Sequence, residues 1–319
     1  MPDARKHPSP GETPTSATPV ALARCSDYAT VADLVPTLFA ACGFAPARSS
    51  HMLVKPNLLR VTSGGLACTH PRVVRAACIW LLDRGCRVTV GDSPGFGSAL
   101  GVARRIGLID ALAGLDVPVV DLRRTVRVRL PFGYNVGVSR VALEADGIVN
   151  VPRLKVHGQL RITAAVKNHF GCVAGVRKAL LHTRHGDQGR RFESLIIELM
   201  QALPPGVSLL DGVTAMHIRG PGGGQPFPLG LLGASVPAVA LDTAVYELLG
   251  LTPEQTPLWR EALERDLPGS RPETLAFPLA RPDDFDARGF CIPSRLSPVS
   301  FHPVRLGIST LRRLWARLT

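Results

Sequence analysis

The chain has 319 residues, 45% of them hydrophobic and only 5% aromatic, with a net charge of +12. That is enough apolar material for one large core or two modest ones, but no apolar run reaches the roughly eighteen residues a membrane-spanning helix needs. Scattered arginines with few aromatics argue against a nucleic-acid binder, and seven cysteines (Cys25, Cys42, Cys68, Cys78, Cys86, Cys172 and Cys291) without a C-x-x-C pair exclude a zinc ribbon or a four-cysteine iron–sulfur motif.

In chain order, residues 1–20 are rich in Pro, Ser and Thr and read as a disordered tail. A buried strand is expected at Met52–Val54, running into the "KPN" loop. "THPRVVRAACIWLLDRG" follows as a helix, with Thr69 as N-cap, Pro71 in the first turn and Gly85 at the stop. "CRVTVGDSPG" is a strand ending in a turn and "GSALGVARRIGL" a second helix, a βαβα pattern whose crossovers imply a parallel sheet. Strands at "VPVVDL" and "VRVRLP", a helix at "VSRVALEA" and a strand at "GIVNVPRL" complete a first α/β lobe, 21–150.

A second lobe, 151–268, holds a helix from Ile162 to about His169, interrupted by "GCVAG". It continues with a helix at "FESLIIELMQAL", a buried strand at "VSLLDGV" and a Gly/Pro loop, "IRGPGGGQP", suited to close approach of a ligand. A strand at "LGLLGASV" and a helix at "AVALDTAVYELLG" close the lobe. The fold class is therefore α/β, two lobes with mostly parallel sheets flanked by helices. Residues 269–319 read as a loosely packed Pro/Arg-rich tail. It ends in a basic amphipathic helix, with Leu311, Leu314, Trp315 and Leu318 on one side and Arg312, Arg313 and Arg317 elsewhere. That helix is expected to pack on the body or on a partner subunit, a protein partner or homo-oligomer contact, with a membrane surface as the alternative. Scattered reduced thiols fit a cytoplasmic location.

The chain writes arginine almost everywhere, and its only lysines are Lys6, Lys55, Lys155, Lys167 and Lys178. Arginine stays charged, whereas a desolvated lysine can lose its proton and act as base or nucleophile. Four of the five lysines fall in motif-like segments, and two of the four asparagines, Asn57 and Asn168, lie beside them. Lys155 and His157 share a strand face; Lys178 and His182 share a helix face. Histidine supplies acid–base chemistry near neutral pH or a metal ligand. His157, Lys155, Lys178 and His182 are therefore the catalytic candidates, and Lys55, Asn57, Asp92, Ser93, Lys167, Asn168 and Asp211 the substrate-binding ones. The "GDSPG" turn at Asp92 and Ser93 lacks a G-x-G-x-x-G or Walker spacing and, alone, reads as a tight turn. Asp242 sits in an apolar helix, where an acid needs a partner: a lysine or arginine is expected, a capping or packing role being the rival.

The motifs "VKPNLL", "THPRVVRA", "VTVGDSPG", "VNVPRLKVH", "AAVKNHFGCVAG", "LLDGV", "GPGGG" and "AVALDTAVYELLG" occur in one order across Met52 to Gly250. This series resembles domain-of-unknown-function family 362. The resemblance implies motif positions at Lys55, Asn57, Asp92, Lys155, His157, Lys167, Asn168, Gly171, Lys178, His182 and Asp211. It also implies an association with iron–sulfur proteins, although this chain lacks the cysteines of their ferredoxin-type module. "HFGCVAGVRKALLH" is similar in layout to the Gly-rich lysine segment of the lactate racemase family, with Ala174 and Val176 where that segment has glycines. That likeness implies a lysine-tethered nickel-pincer cofactor on Lys178, with His182 or His157 near the metal.

The expected function is an enzyme acting on a small anionic metabolite by Lys/His acid–base chemistry in an interlobe cleft, isomerase- or racemase-like. The alternative is a non-catalytic accessory protein holding a metal, cluster or cofactor. The cofactor itself is left open, a metal or a lysine-tethered group being the candidates.

Overall fold

The computed structural model describes residues 17–59, 61, 65–94, 97–174 and 190–296. The strands are β1 (Thr18–Pro19), β2 (Ala21–Arg24), β3 (His51–Pro56), β4 (Arg87–Asp92), β5 (Val119–Asp121), β6 (Thr125–Arg129), β7 (Asn135–Ser139), β8 (Gly147–Val151), β9 (Arg153–His157), β10 (Arg161–Thr163), β11 (Gly206–His217), β12 (Gln225–Phe227), β13 (Leu231–Ser235) and β14 (Leu275–Ala276). The α-helices are α1 (Val31–Ala41), α2 (Pro71–Asp83), α3 (Ala99–Arg105), α4 (Leu108–Ala111), α5 (Arg140–Glu144), α6 (Ala165–Asn168), α7 (Arg191–Gln201), α8 (Ala238–Leu248) and α9 (Pro257–Glu264).

The fold is α/β, a mostly parallel sheet flanked by helices. Its main path runs β10-β9-β11-β8-β3-β4-β5, parallel throughout except where β10 turns back on β9. β8 and β9 follow one another along the same edge of β11, Asn150 opposite Ser208 and Arg153 opposite Asp211, with Pro152 between them; the register then shifts, so that Lys155 stands opposite Met216. β13 and β12 line the other edge of β11 antiparallel, and β2 lies beyond β13. The sequence boundary near residue 150 thus falls between two strands that run on into each other.

Alternation along the strands divides the interior into two cores. Met52 and Val54 face one, with Val35 and Phe39 of α1 and Val74 and Leu81 of α2. Leu53 and Ile148 face the other, with Phe192 and Ile196 of α7, Leu241 and Val245 of α8 and Trp259 of α9. Both faces of the sheet are covered, which is why the central strands read as nearly continuous apolar runs.

Several expectations shift at element ends. Helix α2 is capped by His70, not Thr69: the His70 ring accepts from the Arg72 amide at 3.2 Å. Gly85 follows the helix end with φ +75°, as its stop position requires. The helix expected from Ile162 begins only at Ala165, because Arg161–Thr163 pair with β9 as β10. Residues 18–20 are not part of a tail: β1 pairs with β14, and Val20 is fully buried. Nor is the stretch after Pro268 loose. Phe285 is buried, Phe277, Phe290 and Ile292 pack on the core, and the Trp259 indole donates to the Ser270 carbonyl at 2.7 Å. The Gly/Pro loop links β11 to β12, with Gly220 packed on the Val156 carbonyl. The basic C-terminal segment lies outside the described residues; among those described, no helix is long and apolar enough to cross a membrane.

Candidate functional site

Parallel β3, β4 and β8 end on one edge of the sheet, the edge where ligands bind in folds of this kind. Lys55 is the register partner of Asn150 there, and Asp92 closes β4 beside them. The Lys55 ammonium is fully buried, 2.9 Å from Asp92 Oδ1, and also donates to the Pro56 carbonyl at 3.1 Å. Asp92 Oδ2 accepts the Leu58 amide at 2.7 Å. Both charges are thereby compensated, as burial demands. Ser93 follows Asp92 and is buried with it.

From this pair a chain of amides runs through the site. Asn150 Nδ2 donates to the Ala165 carbonyl at 3.0 Å and to Ser208 Oγ at 3.1 Å. Asn168 Nδ2 donates to Asn150 Oδ1 at 2.8 Å and to the Lys55 carbonyl at 3.2 Å. Asn57 Nδ2 donates to Asn168 Oδ1 at 2.9 Å, and Asn57 Oδ1 accepts from Lys155 Nζ at 2.9 Å. Lys155 also donates to the Ala67 carbonyl at 3.0 Å. Thr69, freed from capping, accepts from the Asn57 amide at 2.8 Å and donates to the Val151 carbonyl at 2.6 Å, pinning the "KPN" loop. Burial pulls Lys155 down to about 8; Cys68 and Asp92 oppose that shift, whereas Arg153 and Lys55 add to it.

His157 stands two residues along β9 on the same face. Its Nδ1 accepts the Gln159 amide at 3.1 Å and the Leu160 amide at 3.3 Å, so the neutral ring carries its hydrogen on Nε2. Burial, helped by Lys167 and Lys155, takes it down to about 3. Lys167 places its ammonium 4.3 Å from the Phe170 ring centre and 5.7 Å from that of Phe192, a cation–π seat. His169 Nδ1 bonds the Ala165 carbonyl at 3.1 Å, and burial, with Lys55 nearby, lowers that ring to about 4.

Asp211 belongs to an adjoining cluster. Its carboxylate accepts from the Tyr28 hydroxyl at 2.9 Å, the His70 amide at 2.8 Å and Arg153 Nη1 at 2.5 Å. Tyr28 stacks on His70 with ring centres 3.6 Å apart. Arg153, Tyr28 and His70 were not among the sequence candidates; the signal for Arg153 was its place on the β9 face of Lys155 and His157. Among the described residues Asp242 has no cationic partner; the Tyr246 side chain is hydrogen-bonded to it. The two Asp242 oxygens accept the Ala165 amide at 2.6 Å and the Val166 amide at 3.1 Å, so it ties down the start of α6. Burial raises it to about 7.

Lys55, Asn57, Asp92, Lys155 and Asn168 therefore come together, with His157 and Lys167 alongside. Lys178 and His182, and with them the expected cofactor tether, lie outside the described residues, as does His185. Among the described residues, no three His, Cys, Asp or Glu side chains converge as metal ligands.

The model of the family described as Domain of unknown function (DUF362) matches residues 52–247. The chain belongs to this family. Thylakoid-associated protein sll1697 of Synechocystis sp. is 37% identical over 268 residues, 83% of each chain. Among solved structures, the lactate racemase apoprotein of Thermoanaerobacterium thermosaccharolyticum is 13% identical with a TM-score of 0.40, over 63% of this chain and 52% of that one. A Thermotoga maritima protein is 14% identical with a TM-score of 0.36, over 62% and 52%. The DUF362 chain thus covers about half the length of each of these two structures.

Proposed function

We propose that this DUF362 protein is an enzyme that binds a small anionic metabolite at the carboxyl edge of β3, β4 and β8 and moves a proton with Lys155, an isomerase- or racemase-like reaction. The observation that carries this reading is Lys155 itself. It is buried, its bonded partners among the described residues are neutral carbonyls, and its pKa is drawn down to about 8. A lysine so held exchanges its proton near neutral pH, which an arginine cannot do.

In this reading Lys155, as the free amine, takes a proton from the carbon next to the substrate's carbonyl. His157 is too far below neutrality to cycle as a base, so its role moves from the expected acid–base partner to a donor. Its Nε2 hydrogen would meet the oxygen on which negative charge develops. The Lys167 ammonium would favour the anion, and Lys178 and His182 stay the candidates for the second acid–base role. Lys55 is committed to Asp92 and supports the site rather than contacting substrate. The enzyme would work in the cytoplasm. The thylakoid association in the relative's name supports work beside a membrane surface.

The test is hydrogen–deuterium exchange at the carbon next to the carboxylate or carbonyl, followed by NMR over a panel of small hydroxy- and keto-acids. The full-length protein should exchange at least one compound. Lys155→Met should slow that exchange by about a hundredfold or more, the usual contribution of a positioned base. Exchange of nothing in the panel, or an unaffected Lys155→Met variant, would remove the reading and favour an accessory binding role.

A further inference from the structure

The amide chain has a direction. Asn150 spends both Nδ2 hydrogens, on the Ala165 carbonyl and on Ser208 Oγ, so its Oδ1 must face Asn168. Asn168 likewise spends both, on Asn150 and on the Lys55 carbonyl, so its Oδ1 must face Asn57. The Asn57 amide is then left with only one orientation: Nδ2 to Asn168, Oδ1 to Lys155. A planar amide that donates from one end and accepts at the other passes orientation from residue to residue. Three of the chain's four asparagines are used in this way.

We propose that Asn150, Asn168 and Asn57 are positioning residues that lock a neutral carbonyl against Lys155. They thereby keep an anion away from this lysine and leave its proton exchangeable. An aspartate at 57 would keep an acceptor on Lys155 but lose the donor to Asn168, and its charge would hold the proton on Lys155. Among the described residues, the other titratable or charged groups around Lys155 are Cys68, Asp92, Arg153, Lys55 and His157. Cys68 is itself pushed up by burial and stays a neutral thiol, and Asp92 is taken by Lys55. The Asn57 carbonyl is therefore the partner whose replacement decides the lysine's state. This inference rests on the reading of Lys155 as the reactive lysine, but it concerns ionisation, which is measurable without any substrate.

The experiment exploits the scarcity of lysine. In full-length protein carrying 13C-labelled lysine there are only five side chains to resolve, and Lys155→Arg identifies the signal of interest. Its titration midpoint should lie near 8, below the ordinary lysine value. Asn57→Asp should raise the midpoint by more than about one pH unit, as an opposite charge in contact does, and Asn57→Leu should lower it. Opposite shifts from two substitutions at one position are not what a merely structural residue gives. Asn168→Ala, which does not touch Lys155, should lower the midpoint too, because the released Asn57 amide can turn its NH2 towards the ammonium.

A wild-type midpoint at the ordinary lysine value would overturn the proposal. So would unchanged midpoints in folded Asn57→Asp and Asn168→Ala proteins. If Asn168→Ala fails to fold, the two Asn57 variants decide alone, since Asn57 is only partly buried. Shifts as expected, with no deuterium exchange on any acid, would leave the positioning chain standing and refute only the reaction class.

Discussion

Gly171 lies directly on the Lys55 ammonium. A Cβ at this position would overlap both Lys55 Nζ and Asp92 Oδ1. The 3-10 turn His169–Cys172 after α6 is thus seated on the buried ion pair by the absence of a side chain. Gly171→Ala should destabilise the protein by about 1–3 kcal/mol, the range of overpacking in a full interior. Urea unfolding measures this, and wild-type stability in the variant would mean the 3-10 turn stands clear of the pair.

The Arg153–Asp211 pair is buried at both ends, 4% and 0% exposed. Removing one partner strands the other charge. Arg153→Met should therefore cost about 3–5 kcal/mol. The double variant with Asp211→Leu should be more stable than Arg153→Met alone, since no carboxylate is then left behind. A double variant less stable than both singles would mean that Tyr28 and the His70 amide, not Arg153, hold Asp211 in place.

The parts legible in the sequence were those governed by local rules. The βαβα order, the Gly85 stop and the apolar runs of β3, β4 and β8 follow from periodicity and turn chemistry, and they appear where expected. The rarity of lysine and asparagine pointed to Lys55, Asn57, Lys155 and Asn168, which one network now joins. What stayed hidden depends on contacts across the fold. Nothing near Asp242 in sequence announces the Ala165 and Val166 amides as its partners, because they lie more than seventy residues away. Arg153 was passed over for a related reason. In an arginine-rich chain its residue type carries no signal; its alternation with Lys155 and His157 gives its face, but the pairing with β11 that sets it opposite Asp211 is set by the fold.

Two buried histidines give the protein an acid-side liability. His157 and His169 sit at about 3 and about 4, below the ordinary histidine value. As pH falls from about 6.5, the unfolded chain binds protons that the folded chain refuses, and stability drops through this window. Each group contributes at most about 1.4 kcal/mol per pH unit. Unfolding free energies measured by urea from about pH 7 to about pH 4.5 should fall less steeply in His157→Gln and in His169→Gln than in wild type. Equal slopes in all three proteins would mean the rings take up protons in the folded state.

Asp242 acts in the opposite sense. Burial holds its folded value at about 7, against about 3.9 for an unperturbed aspartate. As pH rises above about 4, the unfolded chain releases this proton while the folded chain keeps it until about 7, so this group's contribution to stability declines across that window. Asp242→Asn removes the titration but keeps only one of the two acceptors for the Ala165 and Val166 amides. The variant should therefore be weaker than wild type at about pH 4, by about 1–3 kcal/mol for the orphaned amide. The gap should then narrow as pH is raised towards about 7. A gap independent of pH would show that the two amides outweigh burial and keep Asp242 ionised in the folded protein throughout. Lys167 and Asn168 lie on the helix whose start is tied here. A narrowing gap would therefore couple the protonation of Asp242 to the base on which the asparagine chain rests.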